Sequence, residues 1–245
     1  MKSYPKITIL PDEKSFDKAA ADIIVARIKS KPDSVIGLST GRTTGNLHRL
    51  VADNYNANPF DVSKVTFFGL DEVTGVDREY SGACYKMLKT EIVGLMPVPE
   101  HNFIMLPTMS DDFDRECKKF TDELDKRSGI DLLILGLGEN GHLGFNQPGT
   151  KFGQTAWHTN MHPELEERIR RETGSSDPMG GITLGIKDIM HARRIVLVAK
   201  GKNKAEIVKQ MLQGEITEAI PASILQLHPA CEFLFDADAA NLLTD

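Results

Sequence analysis

The sequence predicts an α/β fold in which a mostly parallel sheet is covered by helices on both faces. Seven runs of strand length are mostly apolar, and a run such as residues 131–135 is of the kind that forms a strand buried on both faces. The segments between most of these runs carry apolar residues at helical spacing. Strands that are buried on both faces and separated by helices indicate a doubly wound sheet.

The elements follow in order along the chain. The apolar runs predicted as strands are ITIL (7–10), SVIGL (34–38), VTFFGL (65–70), NFIM (102–105), DLLIL (131–135), IVLVA (195–199) and CEFLF (231–235). Apolar residues at helical spacing predict helices over residues 16–28, around 47–51, and over 84–93, 111–128, 184–192 and 203–212. Residues 151–181 are polar and receive no assignment.

Length and composition bound the answer further. A chain of 245 residues that is 40% hydrophobic can bury one sizeable core, so we expect a single domain over residues 1–245. The formal net charge of -6 argues against a nucleic-acid or anionic-membrane partner. Three cysteines without metal spacing are typical of a reducing compartment. No run has signal or membrane-spanning length, so we expect a cytoplasmic protein. No His, Cys, Asp or Glu cluster has convincing ligand spacing, so we expect no metal, and we expect no cofactor.

A glycine-rich loop follows the strand at 131–135. Residues 136–149 contain five glycines and His142. Gly136, Gly138 and Gly141 satisfy the G-x-G-x-x-G dinucleotide pattern, but the loop continues through Pro148 instead of opening into a helix. A glycine-rich turn around a hydrogen-bonded histidine is a second interpretation. A catalytic loop that holds His142 and two amide side chains around a small molecule is the third, and the density of polar groups favours it.

Two further loops fall at the carboxyl ends of predicted strands, which share one edge in a parallel sheet. Residues 39–44 combine hydroxyls, Gly41 and backbone N–H groups before a helix, which suits a phosphate, although a simple helix cap is the alternative. Asp71 and Glu72 follow the next strand; each is a solvated side chain, a helix cap or a general base. With His142, these groups suggest proton transfer on a phosphorylated metabolite.

Several segments resemble the glucosamine-6-phosphate deaminase family in order and spacing. They are LSTGRT (38–43), LDE (70–72), GLGENGHLGFNQP (136–148) and LQLHP (225–229). GITLGIKDI (181–189) and AIPAS (219–223) look most like the galactosamine-6-phosphate isomerase branch of that family. The resemblance covers nearly the whole chain.

The resemblance implies a modified Rossmann-like sandwich without a dinucleotide, and a hydrolase-class, isomerising deaminase of an amino sugar 6-phosphate. By resemblance, Asp71 moves a proton between C2 and C1 of the sugar, and His142 assists ring opening. The phosphate would bind to the residues that match the family's phosphate site: Thr40, Gly41, Arg42, Thr43, Lys204 and, by counting back without gaps, Arg168. The resemblance leaves the preferred epimer and the oligomeric state open.

Two site positions depart from the deaminases, which place an acid where this chain has Asn140 and a glutamate where it has Gln147. Asn140 is usual for the galactosamine branch and is interpreted as a mark of substrate choice. An amide at Gln147 can orient His142 but supplies no charge to stabilise its cation. We therefore expect ring opening to be slower or to run through water.

Two other functions remain as alternatives. The related 6-phosphogluconolactonases share the fold and phosphate site, but their loop typically continues with Ser-Leu-Phe-Pro after the histidine, where this chain has FNQP (145–148). A sugar-phosphate sensor without catalysis would have lost its proton relay, and Asp71 and His142 argue against it.

Overall fold

The computed structural model describes residues 6–244. Its main feature is a seven-stranded sheet whose neighbours all pair in parallel. Its strands are β1 (Lys6–Leu10), β2 (Val35–Leu38), β3 (Thr66–Gly69), β5 (Phe103–Ile104), β6 (Leu132–Gly136), β9 (Ile195–Ala199) and β10 (Cys231–Asp236). Their spatial order is β1-β10-β9-β6-β2-β3-β5, which confirms the predicted α/β class.

Helices cover both faces of this sheet. They are α1 (Glu13–Ser30), α2 (Gly45–Ala57), α3 (Cys84–Glu91), α4 (Phe113–Lys126), α6 (Ile186–Met190) and α7 (Ala205–Gln213). The remaining helix, α5 (Pro163–Thr173), packs through Ile169 in a separate cluster with Val73, Val76, Met161 and Met179. One core packs α1, α2 and α3 against the sheet, and a second packs α4, α6 and α7 against the opposite face. The central strands are buried on both faces because helices cover each side, which explains their unbroken apolar runs.

The strand order reverses between β2 and β6. From β2 the sheet continues through β3 to β5, and from β6 it continues through β9 to β10 in the other direction. Loops that leave neighbouring strands on opposite sides of such a reversal open a crevice at the carboxyl edge of the sheet. The loops at residues 39–44 and 137–142 border this crevice.

A second, antiparallel sheet departs from the expectation. It contains β4 (Asp71–Thr74), β8 (Gly180–Thr183) and β7 (Trp157–Asn160), in the order β4-β8-β7. The predicted strand at 65–70 is therefore followed by another strand and not by a loop. The segment 151–181, for which the sequence predicts no element, supplies β7, α5 and the first half of β8. The chain changes sheets at Leu70, whose N–H donates to Leu38 O while its carbonyl accepts from Leu184 N, each at 3.0 Å.

The remaining differences are shifts of boundaries. The observed helices α3, α4 and α6 are shorter than the helices predicted at 84–93, 111–128 and 184–192. Caps and, after α3, a 3-10 turn replace the missing residues at their ends. None of the helices in residues 6–244 combines the length and apolarity needed to cross a bilayer. The same range contains no group of three or more His, Cys, Asp or Glu side chains placed to hold a metal.

Candidate active site

The crevice at the strand reversal contains a cavity of about 830 Å³. It lies between the loops that follow β2, β6, β9 and β10 and the start of β4. Seven of the ten predicted site residues line it: Thr40, Gly41, Arg42, Thr43, Asp71, His142 and Lys204. The fold thus gathers side chains that lie up to 164 positions apart in the sequence.

The loop after β2 presents backbone donors to this cavity. Gly41 has φ +134°, a conformation that favours glycine, and α2 begins four residues later at Gly45. The N–H groups of Gly41, Arg42 and Thr43 donate to no acceptor within residues 6–244. Ser39 fixes the loop to the next strand, because its Oγ accepts a hydrogen bond of 2.8 Å from Gly136 N. Free N–H groups before a helix form an anion cradle.

Two cationic side chains border the cradle. The Lys204 ammonium donates to the Leu137 carbonyl at 2.7 Å, and burial lowers its pKa. Arg42 is almost fully exposed and lies 3.5 Å from the Glu139 carboxylate, which also accepts a 2.7 Å hydrogen bond from Asn203. The cavity therefore offers a hydrogen-bonded lysine and an exposed arginine to an anion.

Asp71 lies at the inner end of the cavity, at the first position of β4. Burial, and then the charge of Glu72, raise its pKa to about 7, while a hydrogen bond from Cys84 opposes the shift. A carboxylate with such a pKa can both accept and return a proton near neutral pH.

Glu72 has a structural role. Its Oε1 accepts from the N–H groups of Val73 and Cys84, at 2.8 and 2.7 Å, and its Oε2 accepts from Tyr85 N at 2.7 Å. The helix-cap interpretation is therefore right for Glu72, which caps the N-terminus of α3 while fully buried.

Asn140 holds the His142 ring at its Nδ1 edge. Asn140 Oδ1 accepts from the His142 backbone N–H at 3.2 Å and lies 2.7 Å from the ring Nδ1. Because the backbone group can only donate, the oxygen of the amide faces the ring, and Nδ1 must carry the proton. Asn140 Nδ2 in turn donates to Gln147 Oε1 at 3.0 Å.

The neutral form of His142 is favoured. Burial, and then the charge of Lys204, lower its pKa, and Glu139 opposes the shift. With Nδ1 protonated, Nε2 carries the lone pair and can accept a proton. Neither Asn140 nor Gln147 is a carboxylate, so the pair orients the ring without stabilising an imidazolium.

Two glycines of the loop leave room for these side chains. A Cβ at Gly138 would overlap the His142 ring. Gly144 has φ +57°, and a Cβ there would lie 2.6 Å from Thr183 Oγ1 and 3.3 Å from Asp71 Oδ2. The glycines thus allow the close approach of catalytic groups instead of binding a dinucleotide.

The other three predicted residues lie outside the cavity wall. Asn140 hydrogen-bonds His142, and Gln147 hydrogen-bonds Asn140. Arg168 lies on α5, where its exposed side chain is 3.8 Å from the Glu172 carboxylate, and the structure does not bring it to the cavity. Its role as a phosphate ligand stays a prediction. Ser39, Cys84 and Gly144 contribute to the site without having been singled out; only the positions of Ser39 and Gly144 in the loops could have indicated them.

Comparison with known proteins places this arrangement in a family. A sequence model of the glucosamine-6-phosphate isomerases/6-phosphogluconolactonase family matches residues 11–232. The chain belongs to this family. The chain is similar to a glucosamine-6-phosphate deaminase of Clostridium botulinum strain Loch Maree, 36% identical over 97% of this chain and 98% of that protein. A glucosamine-6-phosphate deaminase of Thermoanaerobacter pseudethanolicus is 33% identical over 98% of this chain and 96% of that protein.

Solved structures of the family agree with the fold. A monomeric glucosamine-6-phosphate deaminase superimposes with a TM-score of 0.90 at 30% identity, covering 97% of this chain and all of that one. The 6-phosphogluconolactonase of Trypanosoma cruzi gives a TM-score of 0.80 at 20% identity, over all of this chain and 99% of that one, and shares the fold alone. The resemblance seen in the sequence is therefore confirmed at the level of the family.

Proposed function

We propose that the protein is an isomerising deaminase that converts glucosamine 6-phosphate or galactosamine 6-phosphate to a ketose 6-phosphate and ammonia. The observation that carries the proposal is that Asp71, with a pKa near 7, shares one cavity with the anion cradle and with the proton-accepting Nε2 of His142. The family to which the chain belongs and its similarity to deaminases support the proposal.

The cradle would bind the 6-phosphate. Gly41, Arg42 and Thr43 supply N–H groups, and Lys204 supplies an ammonium; Thr40, whose hydroxyl donates to Cys84 Sγ, would contribute its backbone N–H. A phosphate dianion held at one end fixes the sugar so that its first two carbons reach Asp71. Arg168 would join only if its side chain left Glu172; a rise in KM for Arg168→Ala but not for Arg171→Ala is the result that would support it.

His142 would open the sugar ring. Its Nε2 takes the proton of the C1 hydroxyl and returns it to the ring oxygen, which gives the open aldehyde. On its Nδ1 side the transient imidazolium of His142 has only the amides of Asn140 and Gln147, which do not stabilise its charge. The imidazolium must therefore give its proton to the ring oxygen while the sugar is still bound.

Asp71 would then isomerise the open chain. The ionised carboxylate removes the proton from C2, leaving an enolate that bears the amine, and returns that proton to C1. The nitrogen then gives a proton to O1, which leaves a C1 hydroxyl and an imine at C2. Water adds to this imine and ammonia leaves, so the net reaction consumes one water and places the enzyme among the hydrolases. No step calls for a metal or a cofactor.

We also infer a reducing, cytoplasmic setting from the unpaired Cys84, Cys117 and Cys231.

Ammonia release by the purified protein tests the proposal. Glucosamine 6-phosphate and galactosamine 6-phosphate are assayed side by side, and hydrolysis of 6-phosphogluconolactone is measured in parallel. Ammonia from either amino sugar supports the deaminase and names the preferred epimer. Lactone hydrolysis without ammonia would make the protein a lactonase, and sugar-phosphate binding without either reaction would make it a sensor.

A further inference from the structure

Cys84 connects the two halves of the site. Its side chain is buried at the first position of α3, between the cradle loop and β4. The Thr40 hydroxyl donates to its Sγ at 3.1 Å, and Sγ lies 3.8 Å from Asp71 Oδ1. No other side chain within residues 6–244 bonds both the cradle and Asp71.

The backbone of Cys84 is fixed independently. Its N–H donates to Glu72 Oε1 at 2.7 Å, in the buried cap of α3. Glu72 and Asp71 are neighbours on β4, so one carboxylate holds the main chain of Cys84 while the other faces its thiol. The position of Sγ relative to Asp71 is therefore set by a short, rigid link of covalent and hydrogen bonds.

The thiol remains protonated. Burial, and then the charges of Asp71 and Glu72, raise the pKa of Cys84 well above its ordinary value. A protonated sulfur has one proton to donate and lone pairs to accept with, and Thr40 already donates to it. Within residues 6–244, the acceptor left for the S–H is Asp71 Oδ1, 3.8 Å from Sγ.

We propose that Cys84 is a positioning residue, whose thiol hydrogen-bonds Asp71 and Thr40 together and holds the proton-transferring carboxylate in register with the phosphate cradle. The proposal rests on the proposed function for its kinetic consequences. Cys84 touches neither substrate nor reacting atoms in this account; it acts through Asp71.

The environment of Asp71 makes this contact measurable. Glu72 on the same strand and Cys84 on α3 are the titratable groups beside it, and His142 lies across the cavity. β8 and the glycine loop face Asp71 with Thr183 and Gly144, neither of which titrates. Removal of the S–H donor therefore leaves the carboxylate without a stabilising side-chain bond and raises its pKa.

Three variants test the proposal in the ammonia-release assay. Cys84→Ala removes the donor and is expected to lower kcat about fivefold to tenfold and to move the acid limb of the kcat–pH profile to higher pH. Cys84→Ser retains a donor and is expected to restore both. Cys117→Ala removes an equally buried thiol from α4 and is expected to leave both within about twofold of the wild type.

A readout without turnover separates this proposal from the proposed function. In protein labelled with carboxyl-¹³C aspartate, the Asp71 signal is assigned by its loss in Asp71→Asn and titrated by NMR. A higher Asp71 pKa in Cys84→Ala, but not in Cys84→Ser, supports the contact even if neither sugar is a substrate. An unchanged Asp71 pKa in Cys84→Ala would overturn it, whatever the enzyme assay shows.

The link to Thr40 has its own test. Thr40→Val and Cys84→Ala are combined in a double-mutant cycle on kcat. If the thiol joins the two residues, Cys84→Ala costs a smaller factor in the Thr40→Val background than in the wild type. If the two substitutions lower kcat independently, so that the factor in the double variant is the product of the two single factors, a bridge through Cys84 is contradicted.

Discussion

Asn140 Oδ1 accepts hydrogen bonds from both the backbone N–H and the ring Nδ1 of His142, at 3.2 and 2.7 Å. The backbone donor settles which end of the amide faces the ring, and so fixes the tautomer of the histidine. The Asn140 side-chain Nδ2 in turn donates a hydrogen bond to Gln147 Oε1. The resulting relay contains no negative charge, which distinguishes it from a relay built on carboxylates and makes His142 a proton acceptor in its resting state.

Gln147→Glu should leave turnover equal or raise it, up to about tenfold. A carboxylate at this position still accepts from Asn140 Nδ2, and it adds the charge that stabilises an imidazolium at His142. The measurement is kcat for ammonia release, with Gln210→Glu on the exposed face of α7 as the control. A collapse of turnover in Gln147→Glu alone would show that the amide itself is needed.

Turnover should rise with pH through about 7. Asp71 removes a proton only when ionised, and burial with the neighbouring Glu72 raises its pKa to about 7. Burial lowers the pKa of His142 below its ordinary value, so the limb near pH 7 belongs to Asp71 and not to His142. The profile of kcat between pH 5.5 and 8.5 checks this; a kcat that is flat across this range would contradict the role of Asp71 as the base.

Asp71→Asn should stabilise the fold, and more so at high pH. Because the folded-state pKa of Asp71 lies above its unfolded value, the carboxylate costs stability increasingly as pH rises from about 4 to about 7, and the cost is constant above that. The gain in Tm should therefore be larger at pH 8 than at pH 5. Asp53→Asn, on the exposed face of α2, is the control. An equal or negative change at pH 8 would mean that Asp71 is well stabilised as an anion.

Asp131→Asn should destabilise the protein by ~1–3 kcal/mol at pH 7. At the opposite end of the sheet, the Asp131 carboxylate accepts from Val35 N at 2.9 Å and pairs with Lys31 and Arg193. Burial opposes ionisation, but these partners outweigh it and lower the pKa of Asp131.

The Asp131 contribution has a defined pH window. Since its folded-state pKa lies below the unfolded value, the stabilisation is complete above about pH 4 and is lost only as pH falls further. Urea unfolding at pH 7 and pH 5.5 should give the same loss for Asp131→Asn. Asp33→Asn, whose exposed carboxylate lies 3.8 Å from Lys31, is the matched control. A loss for Asp131→Asn no larger than for this control would contradict the account.

The apolar strands and the loops at their carboxyl ends could be predicted from the sequence because both follow local rules. Runs such as residues 131–135 are buried on both faces, so their composition alone indicates their place. The second sheet could not be predicted in this way. β7 is short and partly exposed, and β8 contains two glycines, so neither carries the pattern of a buried strand.

Within the site, the residues joined by the backbone pattern of a loop were predictable, and those joined only by tertiary contact were not. Asn140 and Gln147 were noticed as departures, but the tautomer that they impose depends on a hydrogen bond from the main chain. The sequence indicates only an ordinary thiol at Cys84, because its contacts with Thr40 and Asp71 join residues 44 and 13 positions away. The prediction for Arg168 rests on a count without gaps, and such a count carries no information about the direction of a side chain.

The most direct test of the central claim is the rate of ammonia release by Asp71→Asn relative to the wild type, with the preferred amino sugar 6-phosphate at saturation. Asn keeps the shape of the side chain but cannot accept the C2 proton, so we predict a loss of at least about 10³-fold, with inorganic phosphate still binding to the cradle. A rate within tenfold of the wild type would contradict the assignment of Asp71 as the residue that moves the proton between C2 and C1.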